Sequence, residues 1–180
     1  MVKAVFFDRD GVLTPLIPRP GGITTAAWTR DEFTILPRVH EALNLLSPDF
    51  HRFVITNQPD ILSGDLQRED LLWWHDHLKT VLRLTDIRHA EVRGSAYYKP
   101  NAGMVLDMMV QHNVDPRQSF MVGDRWKDID CGHRARLTTI FVGTKYDDGG
   151  SGIFPNHIVP DVYEACQLIA MRQHENSDLR

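Results

Sequence analysis

The chain has 180 residues, 42% of them apolar, enough to enclose a hydrophobic core in one compact domain. Its formal net charge of −4 gives no basic excess of the kind that tracks a phosphate backbone, so no nucleic-acid partner is expected. Cys131 and Cys166 lie far apart and form no CxxC, which argues against a disulfide framework or a structural zinc site and fits a reducing, cytoplasmic setting. The apolar stretch before Asp8 is too short for a signal-peptide core, and nowhere do about twenty apolar residues follow one another, so no membrane span is expected.

In chain order, Val5-Phe6-Phe7 is a short, continuously apolar run of the kind found in strands buried on both faces. Thr14 to Leu36, rich in Pro and Gly, is too long for an ordinary connection and is expected to form a flap over a site. A helix is predicted from Pro37 to about Leu46, a strand over Arg52–Thr56, and a helix from Glu69 to about Leu84. Ala90–Arg93 carries the weakest strand signal. A helix from Gly103 to about His112 stops at Asn113, and Asp115-Pro116 introduces a strand over Ser119–Gly123. Trp126 to about Ala135 reads as helix and Thr138–Val142 as strand. Thr144 to Pro155 reads as a surface loop, and Asp161 caps a last helix that ends near Arg172. One domain is expected over residues 1–174, with a frayed tail over 175–180 and no repeat or linker. Strands alternating with helices imply right-handed crossovers and a doubly wound parallel sheet, an α/β fold that binds its ligands beyond the carboxyl ends of the strands.

Polar residues gather at those ends. Asp8-Arg9-Asp10-Gly11 follows the first strand, Thr56-Asn57-Gln58 the second, Lys99-Pro100 comes a little after the third, and Gly123-Asp124 with Asp128 follows the fourth. Four carboxylates converging on one edge resist joint ionisation unless a cation compensates them. Hard oxygen donors without a Cys or His set favour Mg²⁺ held by Asp8, Asp10, Asp124 and Asp128. One of the closely spaced Asp8 and Asp10 can attack phosphorus while the other moves protons, and Thr56 and Lys99 can bind the phosphoryl oxygens. Singly, each residue has a plainer reading: a polar turn, a strand-end hydroxyl, an exposed lysine, an N-cap. Their order along successive strand ends is what favours catalysis. Arg9, Arg19 and Arg93 could contact a second anionic group, although exposed arginines are the default reading. His75 and His77 face different directions on their helix and make poor metal partners. In Trp73-Trp74 one packed and one partly exposed ring is expected, and Cys131 reads as a buried helix residue.

With these residues in place, the chain resembles the haloacid dehalogenase (HAD) superfamily, whose four motifs are matched between about Val5 and Val142. The resemblance implies a Rossmann-like core in which Asp8 is the nucleophile and Asp10 the general acid/base. Thr56, Asn57 and Lys99 would bind the substrate phosphate. Mg²⁺ would be held by Asp8, Asp124 and the main-chain carbonyl of Asp10, with Asp128 acting through water. Asp-x-Asp-Gly-Val, Thr56-Asn57-Gln58 and Lys99-Pro100-Asn101-Ala102-Gly103-Met104 are similar to the branch containing heptose bisphosphate and histidinol phosphatases. That branch often carries a zinc loop, but Asp86 to Tyr98 has His89 and no cysteine, so zinc is not expected. Tyr98 stands where the heptose enzymes place an arginine. The spacing leaves room for a flap and none for a helical cap. The implied activity is Mg²⁺-dependent hydrolysis of a small phosphate ester such as a heptose bisphosphate, by a chain for which a monomer is favoured. Two alternatives are a phospho-accepting receiver-like domain, disfavoured by Asp10, and a polynucleotide 3′-phosphatase, disfavoured by charge.

Overall fold

The computed structural model describes residues 1–177; residues 178–180, the end of the expected frayed tail, lie outside the described residues. Strand β1 (Lys3–Phe7) leads into a small hairpin of β2 (Ile17–Pro18) and β3 (Thr24–Thr25), then a 3₁₀ turn over Arg30–Glu32 and helix α1 (Val39–Leu45). Next come β4 (Phe50–Asn57), the single-turn α2 (Asp60–Ser63), α3 (Arg68–Val81) and β5 (Asp86–Ala90). Helix α4 (Gly103–His112), a second 3₁₀ turn, β6 (Phe120–Gly123), α5 (Trp126–Arg134), β7 (Thr138–Val142), β8 (His157–Val159) and α6 (Val162–Ser177) complete the chain. Six strands pair in the order β5-β4-β1-β6-β7-β8, and every pairing is parallel.

The side-chain period of two along a strand divides the core. From β1, Val5 and Phe7 join the layer of α1 and α6, with Val39, Ala42, Leu43, Ala165 and Ile169. Ala4 and Phe6 join the opposite layer, with Met104, Val105 and Met108 of α4 and Cys131 of α5. Each of the Val, Leu, Ile, Phe and Met side chains contributes roughly 1.5–3 kcal/mol on burial, which explains why a strand in the middle of the sheet carries no polar face. A third cluster of Ala27, Leu66, Leu71 and Trp74, with Ile17, Trp28 and Phe33 against it, lies beneath the hairpin. Phe33 stacks on Trp74 at 4.8 Å between ring centroids and 3° between planes. The expected flap is thus a packed element. Only this two-stranded hairpin and a 3₁₀ turn stand between β1 and α1, with no helical cap inserted there.

Several sequence readings shift. The third strand is Asp86–Ala90, earlier than the Ala90–Arg93 segment expected, because it is an edge strand whose polar Asp86, Arg88 and His89 hide it from an apolar-run criterion. β8, at the other edge, is only three residues long and escaped notice within a polar stretch. The last helix runs through Ser177, past the Arg172 end expected and into the segment expected to fray. Asn113 stops α4 in the left-handed conformation at φ 54, and the Asp161 carboxylate accepts from the Glu164 N–H at 2.9 Å. Trp74 is buried and Trp73 is 44% exposed, and Cys131 is buried in α5.

Candidate active site

The parallel register brings the four polar segments to one edge. Phe7 is level with Val54 on one side and Val122 on the other, so Asp8 emerges between the ends of β4 and β6, with its N–H bonded to the Val122 carbonyl at 2.9 Å. Two glycines let the loops close. A Cβ at Gly123 would sit 2.1 Å from Cβ of Asp128, and one at Gly11, where φ is +92°, would sit 2.3 Å from Asp124 Oδ2.

Lys99 ties the centre together. Its ammonium donates to Asp8 Oδ1 at 2.8 Å, to Asp128 Oδ1 at 2.7 Å and to the Ile55 carbonyl at 3.0 Å, so all three protons have acceptors. Burial opposes this charge, yet Asp128 and Asp8 hold the ammonium above the usual lysine range. Asn57 fixes the main chain of Lys99 from both ends of its amide, accepting the Lys99 N–H at 2.9 Å and donating to the Lys99 carbonyl at 3.0 Å. Its side chain therefore positions Lys99, a use that the sequence reading of Asn57 as a phosphate ligand did not foresee. Asp128 also accepts the Arg125 N–H at 3.0 Å on its other oxygen, so the first-turn acid of α5 both caps the helix and faces Lys99.

Asp8, Asp124 and Asp128 bring carboxylate oxygens within 4.8 Å of one another. Burial pushes the Asp8 carboxyl up to about 7 against the pull of Lys99, with Asp128 and Asp10 adding repulsion. Burial likewise pushes Asp124 up to about 8, with Asp8 and Asp128 adding to it. Asp124 Oδ1 is buried with no hydrogen-bond partner. An all-oxygen trio with surplus negative charge and an unpartnered oxygen fits a hard divalent cation, so these three residues could hold a metal ion. The Asp10 side chain is not in this group.

Asp10 instead sits in a nest of donors. Its carboxylate accepts from Gln58 Nε2 at 2.7 Å, Thr14 Oγ1 at 3.0 Å, Thr56 Oγ1 at 3.3 Å and Arg9 Nε at 3.1 Å, with Arg9 Nη2 3.0 Å away. Arg9 is fully buried, which corrects the reading of it as an exposed arginine. Its other amino group lies 3.5 Å from Nε2 of His75, a ring that burial pushes down to about 3 and therefore keeps neutral. Gln58 was not singled out; its place in the Thr56-Asn57-Gln58 run, two residues beyond a site threonine on a strand end, was the available signal.

The site opens into a cavity of about 520 Å³ walled by Thr24, Trp28, Asp60, Ser63, Asp65 and Tyr98, with Arg93, Arg125 and Lys127 on its lining. The hairpin wall is pinned in place. Trp28 Nε1 donates to Asp60 at 2.8 Å, Arg19 makes a bidentate pair with Glu32 at 2.6 and 2.8 Å, and its guanidinium lies 3.8 Å from the Trp28 ring centroid. Arg19 is therefore a strut of the wall, and of the three arginines considered as anion contacts only Arg93 both lines the cavity and stays exposed.

Comparison with known proteins agrees with this geometry. Residues 96–165 match the HAD-hydrolase-like family. The D-glycero-D-manno-heptose-1,7-bisphosphate 7-phosphatase of Chlorobaculum tepidum is 31% identical over 98% of this chain and 98% of its own. The D-glycero-beta-D-manno-heptose-1,7-bisphosphate 7-phosphatase of Pasteurella multocida is 31% identical over 80% of this chain and 83% of its own. In fold, the chain is similar to the D,D-heptose 1,7-bisphosphate phosphatase of B. bronchiseptica, crystallised with magnesium and phosphate, at a TM-score of 0.78 and 22% identity over 94% and 99% of the two chains. Full-length similarity to the C. tepidum enzyme, on a six-stranded parallel sheet with its acidic cluster at the strand ends, leads to one assignment: this chain belongs to the haloacid dehalogenase superfamily, as a phosphoric monoester hydrolase related to the D,D-heptose 1,7-bisphosphate phosphatases.

Proposed function

We propose that this phosphatase acts on a phosphorylated polyol, a heptose bisphosphate above all, through a phosphoryl group carried briefly on Asp8. The observation that carries the reading is the bridge from Lys99 to Asp8 and Asp128, buried groups on the lining of the cavity. Both hydrogen bonds to Asp8, from Lys99 and from the Arg9 N–H at 2.7 Å, fall on Oδ1 and leave Oδ2 to attack phosphorus. Lys99 and Thr56, each giving up one of its present acceptors, would bind the equatorial phosphoryl oxygens, where charge must be held, and Asn57 would steady Lys99. Asp10 would give a proton to the departing alcohol and then take one from the attacking water. Asp8, Asp124 and Asp128, with the main-chain carbonyl of Asp10, would hold Mg²⁺, which when bound offsets their charge and polarises the phosphoryl group.

The cavity supports a sugar as the leaving group. Carboxylates of Asp60 and Asp65 and the Ser63 hydroxyl can pair with ring hydroxyls, while the Trp28 face offers an apolar platform. Arg93, Arg125 and Lys127 would receive a second phosphate. The test is phosphate release from heptose, hexose, histidinol and nucleotide phosphates, with Mg²⁺ or a chelator, by the wild type and Asp8→Asn. Turnover strongest on a sugar bisphosphate, lost with chelator and with the variant, is the expected result. A variant that keeps full activity would remove Asp8 as nucleophile, and a preference for histidinol or nucleotide phosphates would remove the sugar reading.

A further inference from the structure

The Arg9 side chain has no part in the roles set out so far, yet it is among the largest fully buried side chains of the protein. A guanidinium taken out of water costs several kcal/mol unless charge and hydrogen bonds repay it. Among the described residues Asp10 is the only carboxylate that it reaches: Nε stands 3.1 and 3.2 Å from the two Asp10 oxygens and Nη2 stands 3.0 Å from Oδ2. On its far side are neutral neighbours, the His75 ring at 3.5 Å and the Trp74 ring with its centroid 5.6 Å from the guanidinium carbon. Gln58, also fully buried, donates 2.7 Å bonds to the same Asp10 oxygen and to Thr56 Oγ1. The Arg9 Nε–H, shared between both Asp10 oxygens with the rest of the guanidinium charge beside them, and the Gln58 amide together hold the position of the Asp10 carboxyl group.

We infer that Arg9, assisted by Gln58, is a positioning residue for proton transfer: its buried guanidinium holds the Asp10 carboxyl group where it meets the leaving alcohol oxygen. This rests on the reading of Asp10 as the acid/base. In the first step the bond from Asp8 to phosphorus forms and the bond from phosphorus to the ester oxygen breaks. The electron pair of the broken bond goes to that oxygen, which takes the Asp10 proton and departs as an alcohol. In the second step water adds to phosphorus, Asp10 takes up its proton, and Asp8 is released as a carboxylate. A sugar alkoxide needs the proton in order to leave, whereas 2,4-dinitrophenolate does not. A pair that merely anchored the loop to α3 would affect both kinds of substrate alike.

The experiment compares kcat/KM on a sugar bisphosphate and on 2,4-dinitrophenyl phosphate for the wild type, Asp10→Asn, Arg9→Lys and Gln58→Leu. Asp10→Asn should lose about 10²–10⁴-fold on the sugar ester and little on the aryl ester. Arg9→Lys, whose single ammonium cannot span both oxygens, should shift the ratio the same way, and Gln58→Leu should do so to a lesser degree. Parallel losses on both substrates in a folded Arg9→Lys protein overturn the inference while leaving Asp10 in its role. Parallel losses in Asp10→Asn overturn both. Should Arg9→Lys fail to fold, Gln58→Leu decides, and an unchanged substrate ratio in that variant counts against the inference.

Discussion

Lys99 makes the acidic centre possible before any ligand arrives. Its three bonds join one main-chain oxygen to two carboxylates, Asp8 and Asp128, that would otherwise repel each other, while burial first and mutual repulsion second keep Asp8 and Asp124 raised. Lys99→Met should therefore be inactive and also less stable by about 3–5 kcal/mol, because breaking a buried pair strands its partners. Added Mg²⁺ should restore more melting temperature to this variant than it adds to the wild type, and equal shifts would mean that Lys99 does not compensate the trio. Asp8, Asp10, Asp124, Asp128, Thr56 and Lys99 could be gathered from the sequence because their chemistry is unusual together at strand ends, whereas Asp60 and Asp65 of the cavity could not. Arg9 could not be, because nothing in its residue type announces burial, and for Gln58 the only signal was its place two residues beyond Thr56. An arginine reads as exposed until a carboxylate and a shielding Trp74 are seen around it.

Among the elements, the β2–β3 hairpin departs furthest from expectation. Pro and Gly marked 14–36 as irregular, and the sequence could not show that Phe33, Trp28 and Ile17 would pack it onto α3. Its strut is the Arg19 and Glu32 pair. The Arg19 hydrogen bonds, with the Trp28 N–H, hold the Glu32 carboxyl down to about 2 from an ordinary 4.5. Since the folded value lies below the unfolded one, this contribution is present in full above about pH 4.5 and is lost as pH falls through about 2. Glu32→Gln should accordingly be less stable than the wild type at neutral pH, with the gap in urea midpoint closing towards pH 2. A gap independent of pH would show that the charge of Glu32 does not matter. The strands repeat the lesson: buried β1, β4, β6 and β7 were legible as apolar runs, while edge strands β5 and β8 were displaced or missed because half-solvated edges carry polar residues.

At the scale of the whole molecule, the site is assembled from segments between Asp8 and Asp128, so whatever binds it also links β1, β4, β6 and the start of α5. Mg²⁺ together with inorganic phosphate should raise the unfolding free energy by about 2.7 kcal/mol at one hundred times their joint dissociation constant. Asp124→Asn should abolish that gain; a thermal-shift series in which it keeps the full gain would take Asp124 out of the metal site. Among the described residues, no helix is long and apolar enough to cross a membrane. The doubly wound architecture itself was legible because alternating elements admit few topologies, whereas the strand order β5-β4-β1-β6-β7-β8 was not, since polar motifs at the strand ends do not say which strands are neighbours.

The pinned hairpin walls one side of the cavity and no helical cap covers it, which bears on who receives the phosphoryl group. An enclosed phosphoenzyme selects its acceptor, but an open one partitions among whatever nucleophiles the solvent supplies. If Asp8 carries the phosphoryl group as proposed, water wins by abundance and hydrolysis is the default outcome. Glycerol at molar concentration should then divert part of the flux into glycerol phosphate, detectable by phosphorus NMR, while the rate of sugar release stays unchanged if formation of the phosphoenzyme limits turnover. Failure to find any transfer product would mean that the Trp28 wall screens the acceptor side more tightly than its open cavity implies.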